Sequence, residues 1–335
     1  MNYAPILIPT LCRHEHFVRC IESLKKNGWA KYTDVFIALD YPKNEKHKEG
    51  YSKILKYLDG NFEEFNSFNI IKREYNYGSA RNMRELRKLV FEKYDRYIRT
   101  DDDAEFSPNF LEYMNKCLEK YENDESVLAV TGYCYPIKLK VDKNSSVFKT
   151  NMIFPMWGTG FWKNKTTKLE NKLNSSYIRK YLRNHKMKKN KMSIARYVDC
   201  LNGLTNFDSG LIDCFSDVAC GIYSQLNDQY IIMPTISKVR NHGFDGSGEY
   251  CRNVNIIQGD KFTAYNYEYS KQPIDEKINF ILKEDVSFDN KGNMEILNEF
   301  DYRSKKVIKK EEIKFYIMKS LGDPLYKKLW IMRNK

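Results

Sequence analysis

The sequence predicts an α/β fold in which a mostly parallel sheet carries helices on both faces and a basic helix is appended near the C-terminus. Strand-like and helix-like segments alternate along the first hundred residues, which is the order that a parallel sheet requires. The strand-like segments are short and apolar in the middle. Polar residues stand at the ends of three of them: Thr10, Asp40 and the aspartate cluster (Asp101, Asp102 and Asp103). Because ligands bind beyond the carboxyl ends of parallel strands, these residues predict one ligand site.

Hydrophobic periodicity places the individual elements. Strands are expected at 5–9, 34–40, 68–73, 96–100, 127–131 and 230–233, where the chain has short apolar runs. Helices are expected at 15–27, 49–58, 80–94, 108–121 and 217–226. The segment 80–94 is strongly periodic, since Leu86, Leu89, Val90 and Tyr94 recur at helical spacing. Residues 151–162 are aromatic and rich in glycine, and 236–260 are expected to be mostly loop.

No convincing linker interrupts the chain, so one domain with appendages is the simplest organisation. Residues 1–260 are expected to form the body, with halves 1–130 and 131–260. The second half contains a basic segment, 163–196, which is expected to be a pair of helices or a mobile insertion. Residues 261–335 are expected to form a C-terminal extension that contains the basic helix.

The net charge of +12 is concentrated in two segments. Residues 163–196 hold twelve Lys and Arg against one Glu, and 303–335 hold eleven against three acidic residues. Two interpretations stay open: solvated faces, or attraction to an anionic membrane or a glycan acceptor. The alternative of a nucleic-acid-binding protein is supported by charge alone, because the sequence has no helix-turn-helix, RNA-recognition or zinc-finger pattern. We therefore expect no nucleic acid partner.

The cellular location is predicted from three features of the chain. No apolar run reaches the roughly 18 residues of a membrane span. The strand at 5–9 follows Met1 without a basic and apolar leader, so no signal peptide is predicted. The eight cysteines are scattered without a C-x-x-C pair, as reduced thiols are. We expect a cytoplasmic protein, with or without a peripheral contact to the inner face of the membrane.

The aspartate cluster predicts a divalent cation site. Two like charges about 4 Å apart repel by roughly 1 kcal/mol even in water, and a bound cation relieves that repulsion. Oxygen ligands suit Mg²⁺ or Mn²⁺, with substrate phosphates completing the coordination. The alternative is that Asp102 or Asp103 caps the following turn, since Ser107 and Pro108 also begin a helix.

A loop at 76–82 joins a strand to a helix and predicts an anion site. Gly78 permits a positive φ there, and the N-terminus of the helix that follows favours anions. Arg81 adds a forked cation that suits a phosphate.

Together these residues resemble the GT-A glycosyltransferases, in particular the large family-two-like group. That group begins with a strand ending near P-T-x-x-R, matched here by Pro9, Thr10 and Arg13, and ends its second strand on an Asp, here Asp40. The loop that starts at Asn76 reads N-x-G-x-A-R-N, shorter by one or two residues than the N-x-G-x-x-x-A-R-N of many members. The aspartate cluster, followed by a Pro and a Leu, is similar to the D-D-D…P-x-x-L run of the group.

The resemblance implies a role for each matched residue. Thr10 and Asp40 would contact the base, Arg81 would reach the base or a phosphate, and Asp101 would hold the ribose. Asp103 would ligate Mn²⁺ or Mg²⁺ on the diphosphate, with Asp101 as a second metal ligand. The implied nucleotide-sugar site is then Pro9, Thr10, Arg13, Asp40, Asn76, Gly78, Arg81, Asp101 and Asp102.

The second half of the chain resembles the same group less tightly. Residues 157–162 are similar to a W-G-x-x-x-W stretch that lines the donor sugar and the acceptor, which implies roles for Trp157, Gly158, Gly160 and Trp162. Ordinary core and turn residues are the alternative. Residues 239–248 resemble an N-x-G-x-D-G-S-G loop, but Tyr250 stands where the group often has His, so a third protein ligand to the metal stays open.

Inverting transfer requires a carboxylate that takes the proton of the acceptor hydroxyl. We assign this base to Asp217, which matches the Asp of an E-D pair in the group, although Ser216 replaces the Glu. Asp208 and Asp213 are the other local candidates, and Asp217 could instead serve only as an N-terminal charge on its helix.

These implications define the expected activity. The half 1–130 would bind the nucleotide, and the half 131–260 the donor sugar and acceptor. The protein would transfer a sugar with inversion, from a UDP-sugar to a glycan or lipid-linked glycan, in bacterial surface polysaccharide synthesis. The rival with the same fold is a sugar-1-phosphate nucleotidyltransferase, but that class usually carries an N-terminal G-x-G-T-R-type loop where this chain has Pro9 to Arg13.

Overall fold

The computed structural model describes residues 2–135, 145–151, 154–172, 217–248, 269–283 and 285–287, and six single positions between Ile313 and Met332. The chain begins with β1 (Ile6–Thr10), α1 (His14–Lys25), β2 (Asp34–Leu39), α2 (Glu45–Leu58), β3 (Ser67–Lys72), α3 (Ser79–Phe91) and β4 (Arg96–Arg99). It continues with β5 (Ala104–Phe106), α4 (Phe110–Lys120), β6 (Val127–Thr131), β7 (Val147–Thr150), β8 (Thr159–Trp162) and α5 (Lys163–Lys172). The last described elements are α6 (Asp217–Leu226), β9 (Tyr230–Pro234), β10 (Val239–Asn241) and β11 (Asp285–Ser287).

Every helix and strand predicted from periodicity is present in this order, with end shifts of a few residues. The largest shift is at α2, which begins at Glu45 instead of residue 49. Five described strands were not predicted: β5, β7, β8, β10 and β11.

The central sheet is mixed, so the mostly parallel sheet is confirmed only in part. Its nine strands lie in the order β11-β7-β9-β6-β8-β4-β1-β2-β3. The four strands from β4 to β3 are parallel, whereas β8 is antiparallel to both β4 and β6. Because β8 runs against both neighbours, β4 and β6 point the same way, and β9 is parallel to β6. The carboxyl ends of β1, β4, β6 and β9 therefore share one edge of the sheet.

Helices cover both faces of the sheet, as predicted. On one face, α1, α2 and α4 share a buried cluster with the side chains of Ile6, Ile8 and Ile37. Side chains alternate along a strand, so the buried Leu7 and Ala38 point to the opposite face. There α3 packs against β1 and β2 through an apolar stripe that contains Met83, Leu86 and Val90.

Strand β8 ends the aromatic and glycine-rich segment 151–162 and follows a turn at Trp157 and Gly158. All four of its residues are buried. A Cβ on Gly160 would lie 2.9 Å from Met114 Cε and 3.0 Å from Leu118 Cδ1, so the glycine lets β8 lie close under α4. Trp162 is 1% exposed, and its Nε1 donates to the carbonyl of Leu118 at 3.1 Å.

Of the basic segment 163–196, the structure describes only residues 163–172, which form α5. Its Lys165 is not a solvated charge, since the side chain is buried and Nζ donates to the carbonyls of Tyr121, Asp124 and Val127. Burial lowers the pKa of Lys165 to about 8. The rest of the segment, 173–196, lies outside the described residues.

Residues 269–283, which lie in the expected C-terminal extension, pack on the preceding part of the chain. Lys238 and Asp275 form a buried ion pair, to which Asn109 adds a hydrogen bond of 3.2 Å. Phe280 packs edge-on against Tyr113, with ring centroids 5.0 Å apart. Of the predicted basic helix, only six single positions are described, all helical and exposed: Ile313, Ile317, Ser320, Leu325, Lys328 and Met332. No helix among the described residues has the length and apolarity needed to cross a membrane.

Candidate functional site

The aspartate cluster lies at the shared carboxyl edge of the sheet, in the turn between β4 and β5. Thr10 ends the neighbouring strand β1, and Pro9 precedes it opposite Ala38 of β2. Arg13 follows directly, just before α1. The structure thus brings Thr10, Arg13 and the aspartate cluster together, as the parallel order of β1 and β4 predicts.

Arg13 bridges two of the three aspartates. Its Nη1 donates to Asp103 Oδ2 at 2.7 Å, and its Nη2 donates to Asp102 Oδ1. Thr10 Oγ1 donates to the other oxygen of Asp102, at 2.8 Å. Burial opposes the charge on Arg13, but the two carboxylates outweigh it and raise the pKa of the guanidinium above its usual range. Both oxygens of Asp102 are therefore occupied by side chains of the first strand and the loop after it.

Asp103 keeps one unpaired oxygen in a buried setting. The residue is 8% exposed, and its Oδ1 is buried with no hydrogen-bond partner among the described residues. Burial raises the pKa of Asp103 to about 7, against the attraction of Arg13 and with the repulsion of Asp101 and Asp102. Asp101 is more exposed and pairs with Arg99 at 3.2 Å.

The donor set of this cluster fits a divalent cation in part. An unpaired buried carboxylate oxygen is the kind of atom that a cation would satisfy, and carboxylates suit Mg²⁺ or Mn²⁺. Within the described ranges, no three His, Cys, Asp or Glu side chains converge as a complete metal site. A cation bound to Asp103 would therefore need further ligands from a substrate or from water.

A second, small sheet brings a distant loop onto the cluster. Strand β5, which follows Asp103, pairs antiparallel with β10. The backbone N–H of His242, just after β10, donates to the carbonyl of Asp103 at 2.9 Å. Gly243 then packs so closely on the Asp103 side chain that a Cβ there would lie 2.8 Å from Asp103 Cγ. Only glycine fits at this position beside an undisturbed carboxylate.

Glu105 of β5 joins the two strands of the small sheet through contacts with Arg240 and His242. Its Oε2 lies 2.7 Å from His242 Nε2 and 3.0 Å from Arg240 Nη1. The hydrogen bond from His242 outweighs burial and, with the charge of Arg240, lowers the pKa of Glu105 to about 2. His16 of α1 reaches the same loop, with Nε2 3.1 Å from the His242 carbonyl oxygen and 3.1 Å from Asp245 Oδ2.

Asp40 lies just after β2 and is 3% exposed. Its Oδ1 accepts from the backbone N–H of Tyr41 at 2.9 Å and of Tyr77 at 2.8 Å. Its Oδ2 accepts from the N–H of Gly78 at 2.9 Å and from Asn76 Nδ2 at 3.3 Å. Gly78 has a φ of 75°, which its lack of a Cβ permits, and it precedes α3 as predicted.

Arg81 is exposed on the first turn of α3 and lies over two tyrosines. Its guanidinium carbon is 4.1 Å from the ring centroid of Tyr77, and its Nη2 donates to the hydroxyl of Tyr75 at 2.9 Å. Arg73 lies 4.8 Å from the same Tyr77 ring. The turn therefore presents a cation and an aromatic ring at the surface beside Asp40.

Of the four residues predicted to line the sugar, two lie at the carboxyl edge of the sheet and two lie within strand β8. Trp157 and Gly158 precede β8 at the carboxyl edge, where Trp157 is partly exposed and lies 4.7 Å from the ring of Tyr133 and 5.8 Å from Phe244. Gly160 and Trp162 lie within β8. Trp162 pairs with Arg96, at the end of β4 opposite to the aspartate cluster, and contributes to the core.

Asp217 is exposed and begins α6. Helix α6 packs on β9 and leads into it. Because a helix that returns to a strand runs opposite to it, the N-terminus of α6 lies towards the carboxyl edge of β9. That is the edge that holds the aspartate cluster. The other candidate bases, Asp208 and Asp213, lie outside the described residues.

Several residues of the site were not predicted from the sequence: His16, Glu105, His242, Gly243 and Phe244. The resemblance of 239–248 to a family loop was the signal for His242 and Gly243, since it marked the loop without giving its contacts. Nothing in the sequence marks His16 or Glu105, because their partners are 135 or more residues away along the chain.

No protein-family model and no curated protein matches the chain. Solved structures show partial likenesses. TarS of S. aureus is 12% identical with a TM-score of 0.34, over 51% of this chain and 30% of TarS. TarS 1–349 in complex with UDP-GlcNAc is 14% identical with a TM-score of 0.34, over 52% of this chain and 48% of that chain.

The mannosyltransferase PcManGT from Pyrobaculum calidifontis, in complex with GDP-Man and Mn²⁺, is 14% identical with a TM-score of 0.35, over 50% of this chain and 47% of that chain. The matches thus span at most about half of each of these proteins. At these TM-scores the likenesses carry no weight in assigning a fold family or a function to the chain.

Proposed function

We propose that the chain is a glycosyltransferase of the GT-A type that transfers a sugar with inversion from a nucleotide diphosphate donor. The observation that carries the proposal is the convergence of Thr10, Arg13, Asp102 and Asp103 at the carboxyl edge of the sheet, closed by Gly243. Ligands bind at this edge in α/β proteins. The residues are also those that match the glycosyltransferase motifs in the sequence.

The nucleotide would lie along the edge between the turn at 76–78 and the aspartate cluster. Pro9 and Thr10 end the strand beneath it, and Arg81 offers an exposed forked cation suited to a phosphate or to a base face. Asp101, which is the most exposed of the three aspartates, would hold the ribose. UDP is the proposed nucleotide because the motifs resemble enzymes that mostly use it.

Asp103 and Asp101 would hold Mn²⁺ or Mg²⁺. The unpaired Oδ1 of Asp103 supports this proposal, since a cation would satisfy it. When bound, the metal supplies positive charge to the diphosphate as the bond to the sugar breaks. Arg13 lies beside the same carboxylates and would hold them in place while the donor binds.

The sugar and the acceptor would lie near Trp157 and Gly158. Phe244 packs next to Trp157 and follows directly after Gly243, so the aromatic ring pair adjoins the aspartate cluster. Aromatic residues with a few polar groups are typical of small-molecule sites. Gly160 would act by bringing β8 close to α4, and Trp162 by filling the core below the site.

Asp217 is the proposed base. It would take the proton of an acceptor hydroxyl while the hydroxyl oxygen attacks the anomeric carbon from the side opposite the diphosphate. The bond from that carbon to the diphosphate oxygen breaks, and the nucleotide diphosphate leaves. The exposed position of Asp217 towards the carboxyl edge supports this role, because an acceptor can approach it from solvent.

The acceptor would be a glycan or lipid-linked glycan of a bacterial surface polysaccharide, and the protein would act in the cytoplasm. A peripheral contact with an anionic membrane is part of the proposal. Ile313 and Ile317 support it, since they lie one helical turn apart and are both about half exposed, at 52% and 46%.

A screen of nucleotide-sugars with and without Mn²⁺ tests the proposed function, using thermal shift and hydrolysis as readouts. A ligand at about 100 times its dissociation constant should add roughly 2.7 kcal/mol of stability. Absence of any stabilising nucleotide-sugar would contradict the proposal. Pyrophosphate release from a nucleoside triphosphate and a sugar 1-phosphate would instead indicate the nucleotidyltransferase.

A further inference from the structure

The carboxylate of Asp40 already accepts four hydrogen bonds from the protein, which leaves no free acceptor site for a nucleotide base. An ionised carboxylate offers about four lone-pair sites. Four donors already occupy them: the backbone N–H groups of Tyr41, Tyr77 and Gly78, and Nδ2 of Asn76. The residue is also 3% exposed. A base N–H could bind Asp40 only by displacing one of these donors.

The four donors come from two segments that follow neighbouring strands. Tyr41 follows β2, whereas the other three belong to the turn at 76–78 that follows β3. Asn76 Nδ2 also donates to the Tyr41 carbonyl at 2.7 Å, which closes the connection from the other side. The carboxylate therefore fixes the turn against the end of β2, and with it the direction in which α3 begins.

The surface groups of the turn depend on this connection. Tyr77, whose N–H binds Asp40, carries the ring over which the guanidinium of Arg81 lies at 4.1 Å. Arg81 in turn binds the Tyr75 hydroxyl. A turn released from Asp40 would lose the geometry that places Tyr77 and Arg81 beside the aspartate edge.

We infer that Asp40 is a positioning residue, which acts on a bound nucleotide through the turn at 76–78 and makes no direct contact with the base. The inference rests on the proposed function, because it concerns the nucleotide site of that function. It differs from the role that the sequence resemblance implies, in which the carboxylate binds the base.

UDP and CDP separate the two roles, because uracil presents an N–H at ring position 3 where cytosine presents an acceptor nitrogen. The affinity of the full chain for each nucleotide is measured by calorimetry with Mn²⁺, for wild type, Asp40→Asn and Asn76→Ala. We expect each variant to weaken UDP and CDP alike, by about tenfold or more, since each loses hydrogen bonds that hold the turn. Asn76→Ala leaves the Asp40 carboxylate in place, so it tests the turn even where Asp40→Asn does not fold.

Asp34→Asn is the matched control. Asp34 begins the same strand, and its carboxylate accepts from Tyr94 Oη at 2.7 Å and from Asn66 Nδ2 at 2.8 Å, at the end of β2 away from the site. This variant should unfold at lower temperature yet bind both nucleotides as wild type does. A change in the ratio of UDP to CDP affinity in Asp40→Asn, or wild-type affinity in Asn76→Ala, would overturn the inference. A wild-type chain that binds neither nucleotide would instead overturn the proposed function, and the role of Asp40 with it.

Discussion

Gly243→Ala adds one methyl group against the carboxylate of Asp103. The new Cβ would lie 2.8 Å from Asp103 Cγ and closer still to Oδ2, whereas a real Cβ essentially never comes within 3.0 Å of an atom outside its own residue and the two chain neighbours. Asp103 is a short side chain that Arg13 holds at 2.7 Å, so it cannot swing away without breaking that ion pair. The carboxylate or the loop that carries Gly243 must therefore move by about 1 Å.

Two effects of different size follow from this displacement. Overpacking of a buried site costs about 1 to 3 kcal/mol in the free energy of unfolding. A displacement of about 1 Å at a catalytic site can lower turnover by about a hundredfold. We therefore expect Gly243→Ala to remain folded at 25 °C but to lose Mn²⁺-dependent UDP binding and nearly all sugar transfer.

Urea denaturation, calorimetric titration with UDP and Mn²⁺, and a transfer assay at saturating donor measure these effects. Gly28→Ala is the matched control, because a Cβ on Gly28 meets no atom within 4 Å. That variant should change the free energy of unfolding by about 0.5 kcal/mol or less and leave transfer intact. If Gly243→Ala binds UDP and transfers sugar like wild type, the carboxylate of Asp103 has no role that depends on its position.

Four further predictions concern three single residues and the C-terminal region. Asp103→Ala should abolish Mn²⁺-dependent UDP binding in calorimetry, and EDTA should stop transfer by the wild type; full activity in EDTA would contradict the metal. Asp217→Asn should keep donor affinity and lose at least about a hundredfold in kcat; near-normal transfer would exclude Asp217 as the base. The pKa of Glu105, lowered from 4.5 to about 2, contributes stability that is present above pH 4.5 and lost as the pH falls towards 2. Glu105→Gln should therefore cost about 1 to 2 kcal/mol at pH 7, discounted for partial exposure, and an equal cost at pH 2 would contradict this linkage. Truncation at residue 303 should reduce flotation with anionic vesicles, and unchanged flotation would favour a helix docked with its lysines in water.

The fold could be predicted wherever one segment of the chain carries its own periodicity. Helix α3 follows from Leu86 and Val90 at helical spacing, and β1 and β2 follow from short apolar runs that end on Thr10 and Asp40. Parallel strands place their carboxyl ends at one edge of the sheet, so the sequence alone predicts that Thr10 and Arg13 lie next to the aspartate cluster. The ion pairs of Arg13 with Asp102 and Asp103 could not be predicted, because the sequence does not show which carboxylate faces which donor.

Other parts of the site depend on contacts between distant segments. Strand β8 was not predicted, since glycine weakens a strand, and only the approach of β8 to Met114 and Leu118 explains Gly160. Two of the four donors to Asp40 are backbone N–H groups more than 30 residues away, which no local pattern reveals. Residue types alone could not separate Trp157 at the edge from Trp162 in the core.

The position of β8 also sets the order in which the sheet can form during synthesis. Strands β4 and β6 are complete by residue 131, yet the strand that lies between them ends about thirty residues later. At about 5 to 20 residues per second, the ribosome needs about 2 to 6 seconds to supply it. For that interval β4 and β6 each expose an open edge of unpaired backbone groups, the kind of surface that pairs with other chains. A nascent chain paused between residues 131 and 159 should therefore be a preferred client of chaperones that bind at the ribosome.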